Sequence, residues 1–136
     1  MNSSRRLWRF SVIAAAALAL SMGSMASARP ASKDAGWVNA KKNASSGYFF
    51  HVGDEFAIID NKADGHSAVL EVSYWDPDHA GHYGEFQVWN TRGAERGFRE
   101  SHNLPEGYAV AIRACVGESS DRGNWWDCDA QDIGYA

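Results

Sequence analysis

Residues 74 to 84 read YWDPDHAGHYG, and they bring Asp76, Asp78, His79 and His82 within one short stretch. These residue types can ligate a divalent cation or pair for proton transfer. A metal centre needs three or four donors converging on one point. A loop with no cysteine, and no helix to align its His-x-x-His, does not preorganise that arrangement. A calcium loop needs more carboxylates and carbonyls at defined spacing. A catalytic His-Asp pair needs a nucleophile, and the chain has no Gly-x-Ser-x-Gly elbow. Pro77 cannot supply a ladder hydrogen bond, and Gly81 and Gly84 follow it. The stretch therefore reads as a hairpin loop, and no metal or cofactor is expected there.

Two further groups of residues bear chemistry. Glu71 and Glu85 are the candidates for a carboxylate pair that hydrolyses glycosides, a pair that no sequence spacing identifies. A β domain of about 90 residues offers little room for a deep cleft, so both read as outward strand positions. The segment GESSDRGNWWDC places Arg122, Trp125 and Trp126 beside Cys128. Adjacent side chains on a strand point to opposite faces. One tryptophan is thus expected on the core or the disulfide, and the other is expected outward as an anchor for a partner. Arg122 in a constrained loop also fits a protease-inhibitor element, and the tryptophans fit a sugar-stacking platform. No catalytic residue is assigned.

The elements that carry these residues follow from the rest of the chain. Arg5, Arg6 and Arg9 precede an apolar run from Phe10 to Met22, and Ala26-Ser27-Ala28 ends it. This is the pattern of a secretory signal peptide over residues 1–28. The run is shorter than the roughly 18–20 residues a membrane span needs. Ser4-Arg5-Arg6 only partly matches a twin-arginine signal, so general export to the extracellular space is expected. Removing the leader takes Lys+Arg from 13 to 10 against 17 Asp+Glu, a net charge of −7. That balance argues against a nucleic-acid binder and against an anionic membrane surface. Cys115 and Cys128 are the only cysteines. In an exported chain they are expected to form a disulfide. Closing a loop of that length is worth about 3 kcal/mol.

Residues 29–46, RPASKDAGWVNAKKNASS, are polar and show no apolar period. They read as a flexible N-terminal arm. In a partner-binding role, Trp37 and Val38 would anchor the arm, and Lys41 and Lys42 would supply charge. From residue 47 the pattern is that of strands: 47–52, 55–59, 66–75, 85–89, a short piece near Phe98, 107–116 and 128–135. Ala68, Leu70, Val72 and Tyr74 share one face of the third, and Tyr108, Val110, Ile112, Ala114 and Val116 share one face of the sixth. Six to seven short strands without a long amphipathic helix predict an all-β fold. It would be an antiparallel β-sandwich or small barrel over residues 47–136, with the disulfide at its C-terminal end.

The stretch GDEFAIIDNKADGHSAVLEV, with the closing WDCDAQDIGYA, resembles small secreted actinobacterial proteins that share a C-terminal cysteine pair. Their architecture is similar to the adaptor subunit of umbrella-shaped antibacterial toxin particles. There a compact β domain links a lectin-like subunit to a large repeat-containing toxin chain through an extended N-terminal segment. The resemblance implies an antiparallel β fold, an extracellular protein partner and no catalysis. The expectation is a secreted adaptor or interaction module. A protease inhibitor, a glycan binder and a small cell-wall hydrolase are the alternatives.

Overall fold

The computed structural model describes residues 28–136, so the expected leader lies outside the described residues apart from Ala28. Nine strands are described: β1 (Ala35–Asn39), β2 (Ser45–Phe50), β3 (Glu55–Asp60), β4 (Ser67–Trp75), β5 (Tyr83–Asn90), β6 (Gly97–Ser101), β7 (Ala109–Glu118), β8 (Asp121–Trp126) and β9 (Asp132–Tyr135). Four of them form a sheet in the order β1-β2-β3-β6. Five form a second sheet in the order β5-β4-β7-β8, with β9 also paired to β7. All pairings are antiparallel. The fold is the expected all-β sandwich. Among the described residues no helix is long and apolar enough to cross a membrane.

Strand alternation builds the interior. Ala68, Leu70 and Val72 of β4 join Val110, Ile112, Ala114 and Val116 of β7 in one buried cluster. Phe49 and Phe56 enter from the facing sheet, with ring centroids 4.8 Å apart. Hydrophobic burial of this set is the main driving term. Among the few buried polar groups, Ser45 and Asn90 tie the sheets together. The Ser45 hydroxyl donates to the Cys115 carbonyl at 2.7 Å. The Asn90 amide donates to the Ile58 and Arg96 carbonyls at 3.2 and 2.5 Å. Gly47 faces Leu70, where a Cβ would overlap the leucine side chain, so only glycine lets the sheets meet there.

The flexible arm is not observed. Ala35, Val38, Ala40 and Ala44 belong to the main core, and residues 35–39 form the edge strand β1. The segment escapes a strand pattern because its register shifts between Ala35 and Val38, which breaks the period of two. Three contacts fasten it. Lys33 and Tyr135 exchange backbone hydrogen bonds at 2.9 and 2.7 Å. The Gly36 amide donates to Asp132 at 2.5 Å. Gly134 lies so close to Lys33 and Ala35 that a Cβ would strike their backbone. Burial of Val38 also removes it from the surface, so it does not serve as a partner contact.

Asp34 is the polar centre of this seam. It accepts the His51 backbone N–H at 2.8 Å and the Tyr48 hydroxyl at 3.0 Å, and the His51 ring lies 2.7 Å away. The His51 backbone N–H, followed by the His51 ring, holds the carboxyl below its usual range.

Two predictions follow from this seam. Deleting residues 29–46 strips β1 and the start of β2, and is expected to abolish the cooperative melt measured by circular dichroism. Retention of a native melt would show that the seam is dispensable. Asp34→Asn is expected to lower stability at neutral pH. A depressed carboxyl contributes above its unfolded value of about 3.9 and loses that contribution as the pH falls through the folded value. Urea unfolding should therefore show a gap between the two proteins that persists from neutrality to about pH 4 and closes in stronger acid.

Candidate functional site

Outward positions of the four-stranded sheet carry an aromatic row. Trp37 from β1 lies 5.3 Å from Tyr48, and Tyr48 lies 4.3 Å from Phe50, two residues along β2. Trp37 is 55% exposed, the largest aromatic opening on this sheet. Ala57 and Gly97 occupy the next outward positions on β3 and β6. Their small size leaves a hollow of about 470 Å³, with Trp37 and Ile59 on one side and Arg92, Phe98 and Arg99 on the other. The Arg99 guanidinium lies 5.0 Å over the Phe50 ring and pairs with Glu55 at 2.8 Å. Thus Trp37, Phe98 and two arginines line the hollow over Ala57, Ile59 and Gly97, and the Tyr48 and Phe50 rings continue the row from Trp37.

The outer face of the second sheet is more closed. Trp89 from β5 is buried against Val69 and Cys115, and Trp125 and Cys128 pack on that cluster. Gly117 makes this possible, because a Cβ there would strike the Trp89 ring. Arg122 covers the ring at 5.7 Å. Cys115 and Cys128 form the expected disulfide. Glu71 receives two hydrogen bonds from Arg113, at 2.8 and 2.5 Å. Glu85 is exposed one step further along the same open face, opposite Ser73. The two carboxylates do not share a cleft.

The stretch 74–84 closes the hairpin between β4 and β5. The Asp76 amide donates to the His82 carbonyl at 2.9 Å. The Asp76 carboxylate accepts the Asp78 amide at 2.9 Å and lies 2.8 Å from the His79 ring. Its pKa is lowered chiefly by the Asp78 backbone N–H, with His79 and Arg29 adding to the effect. Asp76 and His79 are thus spent on holding the turn, while the Asp78 carboxylate lies 3.8 Å from Arg29 and the His82 ring lies 6.0 Å from that of His79. Among the described residues, one group of three ligand-type atoms lies within 4.8 Å, Glu71 with Cys115 and Cys128, and its two sulfurs are bonded to each other.

The other predicted residues are dispersed. Lys41 and Lys42 are exposed on a short 3₁₀ turn, and the Lys41 amide donates to the Asp127 carbonyl at 2.8 Å. Trp126 packs on the main core, with its ring edge-on to His66 at 5.2 Å. Trp125 packs on the outer cluster, so the adjacent tryptophans do face opposite sides, but both are half-buried and neither stands free. Arg122 lies on β8 with its side chain over Trp89 rather than on an extended loop. Sequence reasoning missed Tyr48, Phe50, Arg92, Phe98 and Arg99. The alternation of β2 already put Tyr48 and Phe50 outward, but the arginines join them only through long-range pairing.

Comparison with protein-family models, with curated proteins and with solved structures finds no match.

Gly117→Val is expected to push Trp89 off the sheet. Overpacking of this kind costs about 1–3 kcal/mol. The measurement is a combined urea melt and tryptophan emission spectrum. An unchanged midpoint and an unshifted emission maximum would contradict the packing described.

Proposed function

We propose that this chain is a secreted, non-catalytic binding module that engages an extracellular protein partner through the outer face of its four-stranded sheet. The carrying observation is the exposed Trp37, held in a row with Tyr48 and Phe50 beside an apolar hollow. A large aromatic set into a rigid sheet loses little conformational entropy on binding, and such residues dominate interface energetics. The disulfide and the leader pattern support an extracellular setting. The resemblance to the adaptor subunit of umbrella toxin particles supports a role in joining a large repeat-containing chain. The contact element differs from the one such an arm would supply, because β1 presents Trp37 from within the sheet.

A glycan platform is the neighbouring reading, and ring geometry weighs against it. Trp37 and Tyr48 are inclined by 57°, and Tyr48 and Phe50 by 40°. Sugar rings in a chain stack best on rings lying in one plane, whereas an irregular protein surface suits inclined ones. Arg122 folded over Trp89 is poorly placed to enter a protease pocket. Glu71 clamped by Arg113 is poorly placed to attack a glycoside.

The test is affinity capture from the producer's culture fluid, comparing the leaderless chain with Trp37→Ala. The exposed indole contributes little to the core, so the melt should move by no more than about 0.5 kcal/mol. Capture of the secreted partner is expected to disappear. Equal capture by both forms would reject this face as the contact.

A further inference from the structure

We propose that the open edge of β6, with Arg92, Arg99 and Arg122 beside it, receives an extended acidic segment of the partner polypeptide as an added strand. This rests on the binding-module reading and gives the partner a chemistry.

Three observations converge on this edge. First, β6 pairs with β3 on one side, and among the described residues no strand pairs its other edge. An unpaired edge presents a row of N–H and C=O groups ready to take another strand. Second, three guanidinium groups are backed by aromatic rings: Arg92 over Phe98 at 4.9 Å, Arg99 over Phe50 at 5.0 Å and Arg122 over Trp89 at 5.7 Å. A stacked guanidinium keeps its planar donor fork in place, and in Arg92 and Arg122, unlike the Glu55-paired Arg99, the fork is left to grip a carboxylate in two-point fashion. Third, the hollow over Ala57 adjoins another of about 330 Å³, and the two share Arg92 and Phe98. They form one trough that runs past β6 from the Trp37 side toward Trp89.

Charge decides the occupant. The chain is acidic, with 17 Asp and Glu against 13 Lys and Arg. Yet among the described residues neither Arg92 nor Arg122 has a carboxylate within 4.0 Å. Glu55 on β3 and Glu100 on β6 are engaged, by Arg99 and by His102 at 2.7 Å, and the exposed Glu95 and Asp121, near Arg92 and Arg122 in sequence, form no ion pair with those two arginines. A second copy of this chain would set arginine against arginine along the edge, the device by which proteins discourage self-pairing. An acidic strand meets attraction instead. An acidic glycan would meet the arginines but would leave the amide edge unused.

The experiment uses the leaderless full chain and a labelled synthetic peptide of alternating Glu and Thr, read by fluorescence anisotropy. Three probes accompany it: the same peptide with Gln for Glu, the Glu peptide N-methylated at alternate amides, and heparin as a sulfated glycan. The Glu peptide is expected to bind, and to bind more weakly as ionic strength rises. The Gln and N-methylated forms are expected not to bind. Arg92→Gln and Arg122→Gln should each weaken binding about tenfold, the worth of one charge-assisted contact, with the melt unchanged.

Failure of the Glu peptide to bind overturns the proposal, whether or not heparin binds. Equal binding by the N-methylated peptide overturns strand addition. Unaltered affinity in both arginine variants overturns their role. If the Arg92→Gln/Arg122→Gln double variant still captures the partner while Trp37→Ala does not, this inference fails and the binding face stands. If Trp37→Ala also captures it, the binding face itself is rejected.

Discussion

The period-two alternation of β7 is the constraint on which the rest of the molecule depends. This strand pairs with β4 along one side, and with β9 and then β8 along the other. Its inward residues, Val110, Ile112, Ala114 and Val116, are the floor of the core. Three of its outward residues each fix a separate feature: Arg113 holds Glu71, Cys115 anchors the disulfide, and Gly117 leaves room for Trp89. A slip of one residue would send all of these to the wrong face at once. Register is therefore specified from both sides of the strand.

The two outer faces differ because their strands end differently. On the five-stranded sheet the disulfide and the β7–β8 hairpin draw Trp125, Trp89 and Arg122 into a packed cluster. On the four-stranded sheet, among the described residues, no such cluster packs over the half-buried Tyr48 and Ile59, and small residues at 57 and 97 deepen the gap. The same ingredients, aromatic rings and arginines, make a closed patch on one side and an open trough on the other. Stabilisation near the cysteines thus leaves the opposite sheet as the surface with contact chemistry to spare.

Much of this was legible in the sequence. The core faces of β4 and β7 and the hairpin at residues 76–84 all follow from local pattern and turn chemistry. What local pattern does not carry is pairing. β1 hides because a register shift breaks its alternation, and its buried alanines look like those of a loose linker. β8 hides because Asp121-Arg122-Gly123-Asn124 has poor strand propensity, and the hairpin with β7 and the disulfide hold it in the ladder regardless. The trough is least legible, since it joins residue 37 to 57, 92 and 99, and no short window contains that set.

One network connects the seam to the binding face. Asp34 accepts the Tyr48 hydroxyl, and this bond raises the Tyr48 phenol above its usual range while the His51 amide holds Asp34 below its own. The Tyr48 ring in turn lies between Trp37 and Phe50. The ionised carboxylate that fastens the N-terminal strand therefore also fixes the central ring of the aromatic row. Protonating Asp34 weakens both together: the acceptor loses its charge, the phenol loses its fixed partner, and the ring beside Trp37 gains freedom that binding must then remove. The face is preorganised by the same contacts that close the fold, so stability and recognition here share one set of residues.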